Sequence, residues 1–228
     1  MIQFFFNLSP NPMKVALALE ELELPYEAKP VDTRRGAQFT PDFLRINPNG
    51  KVPAIVDNGE PVFDSNAILL YLTEKTGRFG PGAGSTGRGD FLSWAMFVAT
   101  GVGPFSGQAV HFRHFAPEKV PYANTRYQYE ADRHYTVLNE RLGASRYLAG
   151  SEYTVVDMAM WGWARMVPFI LGDDAWGRFP NLKRLFDEIS ARPAAARVEA
   201  LRTAHAGAFK AQMDDEARSN MFRHLKAA

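Results

Sequence analysis

No cysteine occurs among the 228 residues. That excludes structural disulfides, thiolate metal sites and any redox cycle between two cysteines of the chain, so sulfur chemistry has to arrive on a ligand. An excess of charge of one sign is also missing. Lysine and arginine number 26 against 25 aspartates and glutamates, a formal net charge of +1, and so weak a field draws the chain neither to nucleic acid nor to an anionic membrane. Long hydrophobic runs are lacking. The most apolar stretch, MAMWGWARMVPFILG, is interrupted by Arg165 and Pro168 and falls short of the roughly 20 apolar residues of a membrane span. The opening MIQFFFNLS has neither a basic segment nor a small-residue cleavage site, so it reads as a strand and not an export signal. What is present, 46% apolar and 22% charged residues, suits a globular protein of one or two domains. A cytoplasmic protein with small, weakly charged partners is the expectation.

Ile2 to Leu8 reads as a strand, MKVALALEELEL as a helix and YEAKPVD as a second strand. A loop and the short helical stretch PDFLRIN follow, then VPAIVD and PVFD, an antiparallel pair turned by Asn58-Gly59. SNAILLYLTEK closes the series as a helix, with Ser65 as its N-cap and Gly77 after its end. The order is β-α-β-α-β-β-α. TGRFGPGAGSTGRGD, residues 76–90, is glycine-dense and aperiodic and reads as a linker. Beyond it no strand is apparent, and an all-α C-terminal helical bundle is expected. The domains are thus placed at 1–80 and 88–228. Ala131, Tyr135, Leu138 and Leu142 form an apolar stripe facing that bundle's core. Gly101-Val-Gly-Pro104 should kink or break a helix, either between two packed helices or at a bend lining a cleft. The tail after Ala206 is expected to be helical in part or frayed.

NLSPNPMKV, residues 7–15, packs two prolines, a serine and two asparagines into a strand-to-helix junction. Asn11 suits an N-cap and Pro12 the first helical position. The same junction also offers unpaired N–H groups and a positive dipole end to an anion, with Ser9 and Asn11 as side-chain donors. A thiolate is one anion that gains. Lowering a thiol by two pKa units needs about 2.7 kcal/mol. A helix terminus supplies about 0.3–1 kcal/mol and a hydrogen bond to a charged group about 1.5–3 kcal/mol, so one or two donors with the dipole are enough.

Two more stretches bear on such a site. In NGKVPAIVD, Pro53 opens a strand, where it need not donate, and a cis Val52–Pro53 bond would turn the Val52 backbone outward to pair with an extended peptide as an added strand. In FDSNAILLYL, Asp64 and Ser65 stand at a helix start. They form an ordinary cap, or Ser65 and the N–H groups take a carboxylate while Asp64 takes an ammonium.

With these residues the chain resembles the glutathione transferase superfamily over nearly its whole length. The resemblance implies a thioredoxin-like α/β N-terminal domain containing NGKVPAIVD and FDSNAILLYL, then a helical domain. Thr154-Val-Val-Asp157, a capping box with Tyr153 and Met158 as its staple, and FPNLKRLFDEISARPA are similar to two late signatures of the family. Within it, Ser9-Pro10-Asn11, RGAQF, VGPFSGQ and PYANTRYQ resemble the bacterial nu class, grouped with the fungal nitrogen regulator. That likeness implies glutathione, reduced or as its disulfide. Ser9 and Asn11 would contact the sulfur, Gln38 and Lys51 the glycine end, and Val52, ahead of Pro53, the cysteinyl backbone. Asp64 and Ser65 would hold the γ-glutamyl end, with Arg126 reaching in from the helical domain, unless it is a solvated surface charge. Ser9 stands where the class usually has threonine. Asp64 replaces a more frequent glutamate, shortening the reach by one methylene.

The functional expectation is a glutathione-dependent disulfide-bond reductase in the cytoplasm, acting as a homodimer on a small disulfide, with no nucleic-acid or membrane partner. Conjugation or β-aryl ether cleavage at a carbon electrophile is the second enzymatic possibility, and a non-catalytic binding or regulatory protein the third. His111 and His114 share a helical face, but no carboxylate nearby completes a metal set, and no metal is expected. Trp161 and Trp163 read as core.

Overall fold

Alternation in IQFFF makes the first strand, β1 (Ile2–Phe6), with Ile2, Phe4 and Phe6 buried and Phe5 directed to Phe43 on the other side. The described residues are 1–223 of a computed structural model, and they divide into two units. One comprises Met1–Leu72 together with the chain from Pro193 onward, the other Thr73–Arg192.

In the first unit β1 pairs in parallel with β2 (Tyr26–Pro30) across the crossover helix α1 (Pro10–Glu21). On its other side β1 pairs antiparallel with β3 (Ala54–Asp57), and β3 antiparallel with β4 (Glu60–Phe63), so the order is β2-β1-β3-β4. Asn58 and Gly59 both take positive φ, 52° and 89°, as a two-residue hairpin turn that matches strand twist demands. A short helix, α2 (Pro41–Ile46), precedes β3, and α3 (Ser65–Thr76) follows β4. Register sets what converges. Phe6 lies opposite Pro30, Phe5 opposite Ala54, and Ala54 opposite Phe63. Segments 7–9, 31–33, 52–53 and 64–65 therefore all leave one end of the sheet.

Helix α1 is buried from Met13 through Leu19. Lys14 apart, this stretch is apolar on all sides and has to be enclosed, and α11 (Pro193–His205) packs along it with Ala194, Ala195 and Val198 buried. Arg197 fastens the pair, donating to Glu20 Oε2 at 2.5 Å and to its carbonyl at 2.7 Å. The sequence groups everything from 88 onward in one helical domain, whereas the chain from Pro193 clusters with the first unit. The tail is also more ordered than fraying would give. His205 and Phe209 stand edge-on to Phe6, and α12 (Asp215–Met221) is capped by Asp214 with Ala217 wholly buried. The tail's last residues, 224–228, lie outside the described residues.

The second unit is helical. It comprises α4 (Arg88–Met96), α5 (Gly103–Val110), α6 (Pro121–Ala144), α7 (Val155–Ala164), α8 (Val167–Leu171), α9 (Ala175–Arg178) and α10 (Pro180–Ser190). Ala131, Tyr135, Leu138, Leu142 and Trp161 are at most 3% exposed and form its core. At Gly101-Val-Gly-Pro104 the chain does not break. A π turn over Phe97–Val102 carries α4 into α5, absorbing the proline at the new helix's first turn. A Cβ on Gly101 would lie 2.5 Å from His134 Nε2 of α6, so glycine there is what lets the imidazole approach. Asp157 completes the capping box of α7, accepting from the Thr154 N–H at 2.9 Å and the Leu148 N–H at 2.8 Å.

Candidate functional site

Ser9, not Asn11, is the N-cap of α1, because the helix starts at Pro10. The shift moves Asn11 into the first turn and changes which donor is available. Ser9 Oγ donates to Asn7 Oδ1 at 2.6 Å, and the Ser9 N–H points to the same oxygen at 3.0 Å. Asn7 in turn donates to Thr33 Oγ1 at 3.1 Å. The serine hydroxyl is thus held by a chain of polar groups across the sheet end. Asn11 is partly buried, and its side-chain amide has no partner among the described residues. Of the two predicted sulfur contacts, Asn11 is the one with a free donor. Asn7, which orients Ser9, escaped the sequence reading. Its signal was there: asparagine two residues before a helix cap readily forms such a side-chain turn.

At α3 the cap also moves by one residue. Ser65 is the first helical residue and is buried, while Asp64 precedes it with φ of 67° and Oδ1 accepting from the Asn66 N–H at 2.8 Å and the Ala67 N–H at 3.2 Å. Asp64 is exposed, so its carboxylate faces water beside the helix's positive end. Val52 and Pro53 precede β3, joined by a cis peptide bond. Asn47 Nδ2 donates to the Lys51 carbonyl at 2.7 Å, which holds this loop, and the Lys51 side chain is exposed. Sheet register thereby gathers Ser9, Asn11, Val52, Pro53, Asp64 and Ser65 at one end of one sheet.

Gln38 is placed differently from the expectation. It is 4% exposed, its amide donates to the carbonyls of Thr33 (3.2 Å) and Asn220 (3.4 Å), and its Oε1 is buried without a partner. The C-terminal tail covers it. Arg34 grips the tail through the carbonyls of Lys210 (2.7 Å) and Ala211 (2.6 Å), Lys210 N–H donates to Asp32 at 2.8 Å, and Asn220 Nδ2 to the Arg34 carbonyl at 3.0 Å. Between tail and sheet end lies a cavity of about 280 Å³, with Ser9 and Thr33 on one side and Phe209 and Met221 on the other. Arg126 belongs to the helical unit. It is half exposed and bonded to Glu130 at 2.7 Å, whose other oxygen takes Arg133 at 2.9 Å. Hydrogen bonding from Arg133, with the charge of Arg126 added, holds the Glu130 carboxyl below its usual range. His114 stacks on Phe169 with its Nε2 3.0 Å from that residue's carbonyl, so its ring serves packing.

Family models for the glutathione S-transferase N-terminal and C-terminal domains match residues 8–75 and 106–193. The chain belongs to the glutathione S-transferase family. It is 42% identical to the disulfide-bond oxidoreductase YfcG of Escherichia coli over 95% of this chain and 98% of that one. Among solved structures it is similar to the glutathione transferase URE2P6 from Phanerochaete chrysosporium, in complex with oxidized glutathione. The TM-score is 0.84 and the identity 34%, over 89% of this chain and 96% of that one. A Pseudomonas fluorescens glutathione transferase family member with two glutathione bound matches with a TM-score of 0.80 and 38% identity, over 86% and 91% of the two chains.

Proposed function

We propose that this protein is a glutathione-dependent disulfide-bond oxidoreductase whose sulfur site is the first turn of α1. The observation that carries this reading is the amide of Asn11, without a partner among the described residues, in the first turn of a twelve-residue helix, in a chain with no cysteine of its own. Helix dipole and amide together favour a thiolate over a thiol. Bound glutathione would supply the thiol that exchanges with a disulfide sulfur. The chain's residues fit that ligand. Val52 offers backbone to the cysteinyl residue, the exposed Asp64 carboxylate suits an ammonium, and Ser65 with the first N–H groups of α3 suits a carboxylate. Lys51 would serve the glycine end, and Arg126 would bind the ligand as well. Gln38, covered by the tail, would support the loop and reach the ligand only if the tail yields. Glutathione or its disulfide, a small disulfide as second substrate, a homodimer and a cytoplasmic setting belong to the same reading.

The test compares glutathione-dependent turnover of hydroxyethyl disulfide and of an aryl halide by the purified protein. The disulfide is expected to turn over faster. A faster aryl halide reaction would replace the proposal with conjugation at carbon, and turnover of neither would leave a binding protein.

A further inference from the structure

Lys14 is buried in α1, 1% exposed. It lies one helical turn beyond Asn11 and so on the same side of the helix. Its Nζ donates to Asn66 Oδ1 at 2.9 Å, and the Asn66 N–H donates to Asp64. A buried lysine one turn past the start of α1 is thus tied to the first turn of α3, and it links the two helix starts that the proposed function assigns to sulfur and to the γ-glutamyl end. Enclosing a lysine without a full counter-charge is costly, and this one touches only a neutral amide.

We propose that Lys14 is the positioning cation of the γ-glutamyl end, completing its charge by taking up a proton as a ligand carboxylate settles at the start of α3. The inference rests on the glutathione reading. Asp64 is the charged group that faces Lys14, and in that reading Asp64 is also the partner of the ligand's ammonium. Binding would bring a carboxylate and an ammonium together, so the added anion is what remains to stabilise the lysine. Burial pushes the Lys14 amine down to about 7, against the opposing pull of Asp64, so the side chain is part charged at neutral pH before any ligand arrives. A carboxylate nearby then raises its proton affinity, and binding and proton uptake become linked.

The test is calorimetry of S-methylglutathione binding in buffers of different ionisation enthalpy. That probe has no thiol to titrate. Wild type is expected to take up as much as about half a proton per ligand at pH 7, since a group with a pKa near the pH is half protonated, and almost none at pH 5.5. Lys14→Met, which keeps length and removes the charge, should show no uptake and bind about tenfold more weakly at pH 6 than wild type, with a smaller difference at pH 8. Lys14→Arg, charged at every pH, should bind without uptake and keep its affinity at pH 8. Equal uptake by wild type and Lys14→Met, or no uptake by wild type that binds, overturns the proposal while leaving the glutathione reading intact. No binding by wild type sinks both.

Discussion

At the scale of single residues, the decisive contrast is between Ser9 and Asn11. Both sit in Ser9-Pro10-Asn11, and sequence assigns them one role. The structure separates them, because the Ser9 hydroxyl is already donated to Asn7 while the Asn11 amide has no partner among the described residues. Ser9→Ala is therefore expected to lower kcat/KM for hydroxyethyl disulfide by less than about fivefold, the neutral hydrogen-bond scale of about 1 kcal/mol. Steady-state kinetics check this, and a hundredfold loss would show that Ser9 turns its proton to the sulfur. Residue types and their spacing made the positions legible. Occupancy of each donor was not, because it depends on Asn7 and Thr33, which meet only through parallel pairing of β1 and β2. The burial of Gln38 was hidden for a similar reason, since its cover comes from Asn220, 182 positions away.

Elements were more readable than their ends. The strand and helix order through α3, the Asn58-Gly59 hairpin and the capping box of α7 each follow from local chemistry that the structure repeats. Cap positions slipped by two residues at α1 and by one at α3, where more than one capping residue stood in line. The π turn at 97–102 was not legible, and neither was the approach of His134 that requires glycine at 101, which comes from a distant part of the chain. The capping box supports a stability prediction. Burial raises the Asp157 carboxyl to about 6, opposed by its hydrogen bonds from Leu148 and Thr154. With a folded pKa above the unfolded one, its titration contributes stability that is full below about pH 4 and lost as pH rises through 6. The stability of wild type relative to Asp157→Asn should accordingly fall between pH 4 and 6.5 in urea titrations. A constant difference would contradict the buried, proton-retaining carboxyl.

For the whole molecule, sequence marked two units but not their membership. The chain from Pro193 onward returns to the first unit because α1, buried along its length, needs more cover than the sheet gives, a demand visible only once the sheet is assembled. With a net charge of +1 no long-range field directs a partner, and the proposed function rests on the sheet end where four segments meet. The account centres on Asn11 as the donor that holds a glutathione sulfur during disulfide exchange. The direct measurement is glutathione-dependent hydroxyethyl disulfide turnover by wild type and Asn11→Ala, coupled to glutathione reductase. Loss of a hydrogen bond to a charged group, about 1.5–3 kcal/mol, predicts a drop of roughly 10- to 150-fold in kcat/KM for Asn11→Ala. Equal rates for the two proteins would contradict the account.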